Sequence, residues 1–285
     1  MNRKIQIGDF IFRLRCPEEV MTPDNFMLFV CAEDAGKEMY TYDIQVSEQF
    51  PEAEGKLIAD RPDLKVYEKD GRELRLIGVK GMNGYYACYR ETAEDRATVV
   101  ISRPEIQSLR MDPVFSSLFA LEKRLASRAQ MVLHCAYVEY KGDAVLFSAP
   151  SGTGKTTQAG LWEKYRGSRT INGDRSLLGK RNGRWFAQGW PVCGTSEVCF
   201  NEAFPVRAVV MLSQARENSV QRLTPGKAFP LVYSQVTINK WNMADHMKMM
   251  DLIEELLSEV PVFHLQCTIS EEAVSCLESA LDALK

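Results

Sequence analysis

The chain has 285 residues, of which 45% are apolar and 26% charged, with a formal net charge of −3. That is a soluble globular composition with room for two domains, without the basic footprint of a nucleic-acid binder or an apolar run near the roughly 18 residues of a membrane span. Three histidines and eight cysteines with no CxxC pair argue against structural zinc, and the start Met1-Asn2-Arg3-Lys4-Ile5 lacks a signal-peptide core, so reduced thiols in a cytoplasmic protein are expected.

Residues 1–105 read as β-rich. Phe10, Phe12 and Leu14 alternate with Ile11, Arg13 and Arg15, the period of a half-buried strand. Asp70-Gly71 between Val66-Tyr67-Glu68 and Leu74-Arg75-Leu76 predicts a hairpin, and residues 85–89 and 98–101 add strands. The polar, proline-bearing stretch 48–63 is expected to be a loop. After Pro113, a helix is expected with Phe115, Leu118, Phe119 and Leu125 on one face.

Two strands follow, 131–139 and 144–147, joined by a turn at Lys141-Gly142-Asp143. A helix over 157–162 and a strand near Thr170-Ile171 come next. Asn182-Gly183 between Leu177-Leu178 and Trp185-Phe186 predicts a type I′ hairpin, and 206–212 predicts a central strand. Met243, Met247, Met250, Ile253 and Leu257 form a helical stripe, read as core packing. Thr268 and Glu271 have capping-box spacing ahead of a last helix carrying Val274, Leu277, Leu281 and Leu284.

The chemistry concentrates at 149–156, Ala-Pro-Ser-Gly-Thr-Gly-Lys-Thr, between a predicted strand and a predicted helix. That order of strand, glycine-rich turn and helix is the context of a phosphate-binding loop. Its backbone N–H groups would converge where the positive end of the helix dipole sits. The dipole is worth only about 0.3–1 kcal/mol to an anion. Each hydrogen bond to a charged group is worth about 1.5–3 kcal/mol, so several amides and Lys155 could hold a triphosphate. The nucleotide-binding residues are therefore expected to be Ser151, Gly152, Thr153, Gly154, Lys155, Thr156 and Thr157, with the Thr156 hydroxyl on magnesium.

Asp174, in Asn172-Gly173-Asp174-Arg175, follows the strand after the loop's helix. It is either a second magnesium anchor, the base that takes an acceptor's proton, or a turn aspartate. His134 sits mid-strand before the loop and is either a core histidine or an active-site group.

The run Leu133-His134-Cys135, Lys141-Gly142-Asp143, Ala144-Val145, Phe147, Ser151-Gly152-Thr153-Gly154-Lys155-Thr156-Thr157 and Gly173-Asp174 resembles the nucleotide core of ATP-dependent phosphoenolpyruvate carboxykinases. It is similar also to the catalytic domain of HPr kinase/phosphorylase. The clear likeness covers about residues 131–178, and 191–223 is similar to uncharacterised bacterial HPr-kinase-like proteins. The resemblance implies a mixed α/β (α+β) fold, with the P-loop on a mixed β-sheet flanked by helices. It implies ATP and Mg2+, with Lys155 and Thr156 on phosphate and metal, His134 on an active-site histidine and Asp174 on the first of a paired Asp-Asp.

Arg175 stands where both relatives carry the second aspartate. A cation there repels a metal, so carboxykinase activity is not expected. Arg175 either offers positive charge to the transferring phosphoryl group or forms a salt bridge beside the loop. Gly194-Thr195-Ser196 with Arg207 is either a second anion site or a bare turn and a strand-edge charge.

The expectation is thus a β-rich domain over 1–110 that presents the acceptor, and a catalytic domain over 111–285. The activity expected is ATP-dependent phosphoryl transfer to a serine-like hydroxyl on a protein, peptide or small metabolite, with Asp174, His134, Lys155 and Arg175 catalytic and Thr156 and Asp174 on the metal. An ATP-binding regulatory module without transfer, or a simple ATPase that works a partner, are the rivals. Neither nucleic acid nor membrane is an expected partner, and homo-oligomerisation stays open.

Overall fold

The computed structural model describes residues 1–81 and 84–284. The chain folds as two compact units, Met1–Arg124 and Leu125–Lys285. Each is built on a large mixed sheet, and the protein is mixed α/β.

The first unit holds strands β1 (Asn2–Ile7), β2 (Phe10–Arg15), β3 (Tyr40–Ser47), β4 (Lys56–Arg61), β5 (Leu64–Lys69), β6 (Arg72–Ile77), β7 (Ala87–Ala93) and β8 (Arg96–Ser102), with helices α1 (Asp24–Met27) and α2 (Asp112–Ser116). The sheet order is β1-β2-β3-β8-β7-β6-β5-β4, parallel at β2–β3 and β3–β8 and antiparallel elsewhere. The β5–β6 turn places Asp70 and Gly71 at φ 52° and 74°, as the Asp-Gly pair predicts.

Three expectations fail here. Residues 56–61 form strand β4, not loop, because their backbone pairs with β5 in an antiparallel ladder. The helix expected after Pro113 is broken. α2 passes into a 3-10 turn, Ser117–Phe119, and Ala120 at φ 46° interrupts it before α3 (Leu121–Ala126). The expected boundary at 110 is also displaced, to Arg124. The segment after 110 belongs to the first unit because its apolar face packs there. Phe119 and Phe115 contact Phe26, and the buried Tyr42 hydroxyl donates to Phe119 O at 2.7 Å.

The second unit holds β9 (Met131–Tyr140), β10 (Asp143–Ser148), α4 (Lys155–Arg166), β11 (Arg169–Asn172), β12 (Arg175–Arg181), β13 (Arg184–Gln188), β14 (Ala203–Gln214), β15 (Ser219–Arg222), α5 (Pro225–Tyr233), α6 (Met243–Glu259), β16 (Val262–Cys267) and α7 (Glu271–Asp282). Its sheet runs β10-β9-β12-β13-β14-β16-β15, with β11 on β9. β10 also pairs with β14 in parallel, so β9, β12, β13, β14 and β10 close a ring of pairings. The long strands β9 and β14 make that ring, each pairing different neighbours at its two ends.

Two cores form on the two faces. On one, Trp162 and Ala159 of α4 and Val274, Leu277 and Leu281 of α7 pack with Val145, Phe147, Val210 and Leu265. On the other, Val232 of α5 and Met249, Leu252, Ile253 and Leu256 of α6 pack with Leu133, Leu146 and Trp185.

The methionine stripe is corrected. Met243 and Met247 are 69% and 51% exposed, whereas Ile253 and Leu257 of the expected stripe are buried, in a line with Met249, Leu252 and Leu256. The cap of α7 is also corrected. Ser270 accepts from Ala273 N, while Thr268 spends its amide and hydroxyl on Asn218 Oδ1.

Candidate functional site

The glycine-rich turn leaves the end of β10 and enters α4 at Gly154. Gly152 and Gly154 adopt φ 79° and 114°, conformations that side chains strongly disfavour. A Cβ at either would meet no protein atom within 4 Å. Conformation, not crowding, therefore demands glycine at both. With glycine at the N-cap no side chain caps α4, so its first-turn amides remain available to an anion.

Lys155 is 7% exposed and its Nζ donates to the loop's own carbonyls, Ala149 O at 3.0 Å and Pro150 O at 3.4 Å. Burial lowers its pKa, and the Asp174 carboxylate opposes that fall.

Asp174 is placed by a local device. The fully buried Asn172, at the end of β11, accepts from the amides of Asp174 and Arg175 through Oδ1, each at 2.9 Å. Its Nδ2 donates to Trp190 O at 2.7 Å. This Asx turn ends β11 and aims the next residue at the loop. Asp174 O accepts from Cys135 N on β9, which ties the turn to the central strand.

His134 stands opposite Arg175 in the β9–β12 register. His134 Nε2 lies 3.4 Å from Asp174 Oδ1, and Arg175 Nε donates to Asp174 Oδ2 at 3.1 Å. Burial pushes the Asp174 pKa up, but the His134 hydrogen bond and the charges of Arg175 and Lys155 outweigh it and hold the carboxyl below its ordinary value. His134 is itself fixed: Nδ1 lies 3.2 Å from Gln235 Oε1, and its carbonyl accepts from Ser148 Oγ at the end of β10. Arg175 Nη1 donates to Thr237 Oγ1 at 3.2 Å.

The structure brings His134, Ser151, Gly152, Gly154, Lys155, Thr156, Thr157 and Asp174 to one cleft of about 290 Å3, with Gly173 and Thr195. Thr153 faces an adjoining cavity, and Arg175 reaches the site through Asp174. The 3-10 turn Gly194–Ser196 closes on Asp174, for a Cβ on Gly194 would lie 3.1 Å from Asp174 Cβ. Arg207 is not among the residues that line the cleft. It donates to Leu281 O and Asp282 at the end of α7, a C-terminal partner for that helix.

Sequence reasoning missed Asn172, Gln235 and Thr237. Asn172 had a legible signal, since Asn-Gly-Asp suits an Asx turn. Gln235 and Thr237 follow α5, and nothing in their local sequence points to β9 or β12.

Hydroxyls, one carboxylate, backbone N–H groups and one ammonium suit a phosphate ester and a hard cation rather than a soft metal. Asp174 and Thr156 share the cleft, and Asp174 is held ionised, which is the state a cation needs.

The fold and this cleft define a class: a mixed α/β protein whose glycine-rich turn, helix start and following acid line one polar pocket. The chain belongs to the family described as SynChlorMet cassette protein ScmC, whose model matches residues 100–282 and so takes in every residue of the cleft. Among solved structures, it is similar to the Hpr(Ser) kinase/phosphatase from Coxiella burnetii at 10% identity, over 52% of this chain and 95% of that one, with a TM-score of 0.31. No curated protein matches the sequence. No helix among the described residues is long and apolar enough to cross a membrane.

Proposed function

We propose that the second unit binds ATP with Mg2+ and transfers its γ-phosphoryl group to a hydroxyl acceptor. One observation carries the reading: an uncapped helix start, a buried lysine and an ionised aspartate line the same cleft. Residues Ser151, Gly152, Thr153, Gly154, Lys155, Thr156 and Thr157 hold the phosphates, with Lys155 exchanging its carbonyl partners for phosphate oxygen. Thr156 and Asp174 are the residues that would hold Mg2+, which when bound screens the charge of the phosphate oxygens. The acceptor oxygen attacks the γ-phosphorus as the bond to the β-phosphate oxygen breaks, ADP leaves, and the acceptor's proton passes to the Asp174–His134 pair. Arg175 supplies positive charge beside that pair. The resemblance to HPr-kinase-like proteins supports a serine-like acceptor on a protein, peptide or metabolite.

A second reading is favoured by the Arg175–Asp174 ion pair, which already neutralises the acid. In that reading the unit binds ATP as a sensor and transfers nothing.

Calorimetric titration with Mg-ATP tests the binding. Lys155→Ala should weaken it at least about thirtyfold, the worth of one charged hydrogen bond. Equal affinity in Lys155→Ala ends the reading. Incubation with γ-labelled ATP and a cell extract depleted of ATPases separates the two versions. Label on an acceptor that vanishes with Asp174→Asn marks the transferase, and tight binding without label or ADP marks the sensor.

A further inference from the structure

A second cavity, of about 520 Å3, adjoins the cleft and shares Gly152, Gly154 and Thr157 with it. Its remaining wall comes from Gln158 of α4, from Gln214-Ala215 at the end of β14, and from Cys267-Thr268-Ile269 at the end of β16. From this geometry we infer that it receives the base and ribose of the nucleotide, with the planar face of the base against Ile269 and Ala215. The inference rests on the phosphate-binding reading of the loop and adds where the rest of the ligand goes.

Ile269 is the first reason. It is 79% exposed, more than any other large apolar residue described, yet it is not on a loose segment. Thr268 N donates to Asn218 Oδ1 at 2.8 Å, and Ser270 Oγ caps α7 by accepting from Ala273 N. The turn is thus pinned on both sides of an isoleucine held in water. A planar apolar face would cover it, and a base is such a face.

The second reason is the polar inventory. Gln158 is 2% exposed; its Nε2 donates to Thr268 O and Cys267 Sγ, each at 3.2 Å, and its Oε1 has no partner. Gln158 lines the cavity, so a small shift of its carboxamide would bring this unpaired buried acceptor to a ligand's amino or hydroxyl hydrogen. Gln214 Nε2 makes only marginal contacts, 3.4 Å to Thr153 O and 3.5 Å to Gly152 O, so it is readily released to a ribose or base oxygen.

The third reason is adjacency. The two spaces share Gly152, Gly154 and Thr157 in their linings, so they lie against the same loop. A ligand with its phosphate tail at the first turn of α4 has this second space beside the same loop.

The test compares ATP with inorganic tripolyphosphate by calorimetry on the wild-type protein, Ile269→Ser and Ala215→Trp. Ile269→Ser alters an exposed side chain and adds no charge, and an unchanged melting curve checks both folds. The expected result is that the wild type binds ATP about tenfold or more tightly than tripolyphosphate. Ile269→Ser should cost ATP about tenfold, the scale of one apolar side-chain contact, and Ala215→Trp, which fills the space, at least as much. Tripolyphosphate affinity should stay the same in both. Unchanged ATP affinity in both variants, or equal losses for the two ligands, overturns the nucleoside pocket and leaves the phosphate site standing. Absence of binding of either ligand to the wild type overturns the phosphate reading and this inference with it.

Discussion

Arg175 sits directly opposite His134 in the β9–β12 ladder, and both side chains close on the carboxylate of Asp174 from its two oxygens. The acid is thereby kept ionised in spite of burial, with Lys155 adding charge from the loop. Because the folded pKa of Asp174 is depressed, its contribution to stability is present above the unfolded carboxylate value and is lost as pH falls through the folded value. The urea midpoint of wild type should therefore exceed that of Asp174→Asn at pH 6–7, and the gap should close below about pH 4. A gap that widens on acidification would contradict the pairing.

Arg175 is where a structural ion pair and a phosphoryl-stabilising cation make different demands. As a participant in transfer it should influence turnover far more than ground-state binding. Arg175→Ala is expected to lower the rate of label transfer by about a hundredfold or more while leaving the ATP dissociation constant within about threefold. Arg175→Lys should recover little, since an ammonium cannot reproduce the forked contact to Asp174 and Thr237. Equal effects on binding and rate would assign Arg175 to the architecture alone.

Gly173 is demanded by a neighbour rather than by backbone twist. A Cβ there would fall 2.0 Å from Ser196 Oγ and 2.3 Å from Ser196 Cβ, so the turn carrying Thr195 would have to move off Asp174. Gly173→Ala should destabilise the protein by about 1–3 kcal/mol in urea unfolding, the cost of overpacking. Ser196→Gly removes both clashing atoms at the loss of two hydrogen bonds, one donated to Cys193 O and one accepted from Val198 N. The double variant should be more stable than Gly173→Ala alone, with a coupling of at least about 1 kcal/mol. Additive losses would show that the turn is not the obstacle.

Local chemistry was readable wherever the chain signals to itself. Asn182-Gly183 takes φ 51° and 77° in its hairpin, and Asp70-Gly71 takes 52° and 74° in its own. What escaped is decided between distant segments. Strand β4 exists because β5 offers it a ladder, although its own polar residues read as loop. The exposed Met243 and Met247 and the buried Met249 have the same side chain, so only the docking of α6 on the sheet distinguishes them. At the site, Lys155 and Asp174 announced themselves by spacing from the loop, whereas Gln235 and Thr237 reach His134 and Arg175 from the segment following α5.

Asn172 is the buried residue on which the position of Asp174 depends most. Its carboxamide makes three hydrogen bonds, two accepted from the amides of Asp174 and Arg175 and one donated to Trp190 O, at 0% exposure. Asn172→Ala leaves two amides and a carbonyl without these partners, at roughly 1 kcal/mol net per bond, so a loss of about 2–4 kcal/mol is expected in urea unfolding. Asn172→Asp keeps the acceptor but removes the donor and buries a charge, and it should be at least as damaging near neutral pH. At temperatures where either variant stays folded, turnover should fall because the Asp174 turn is no longer held, while tripolyphosphate binding at the α4 end should persist. If Asn172→Ala keeps wild-type stability and turnover, the Asx turn does not position the acid.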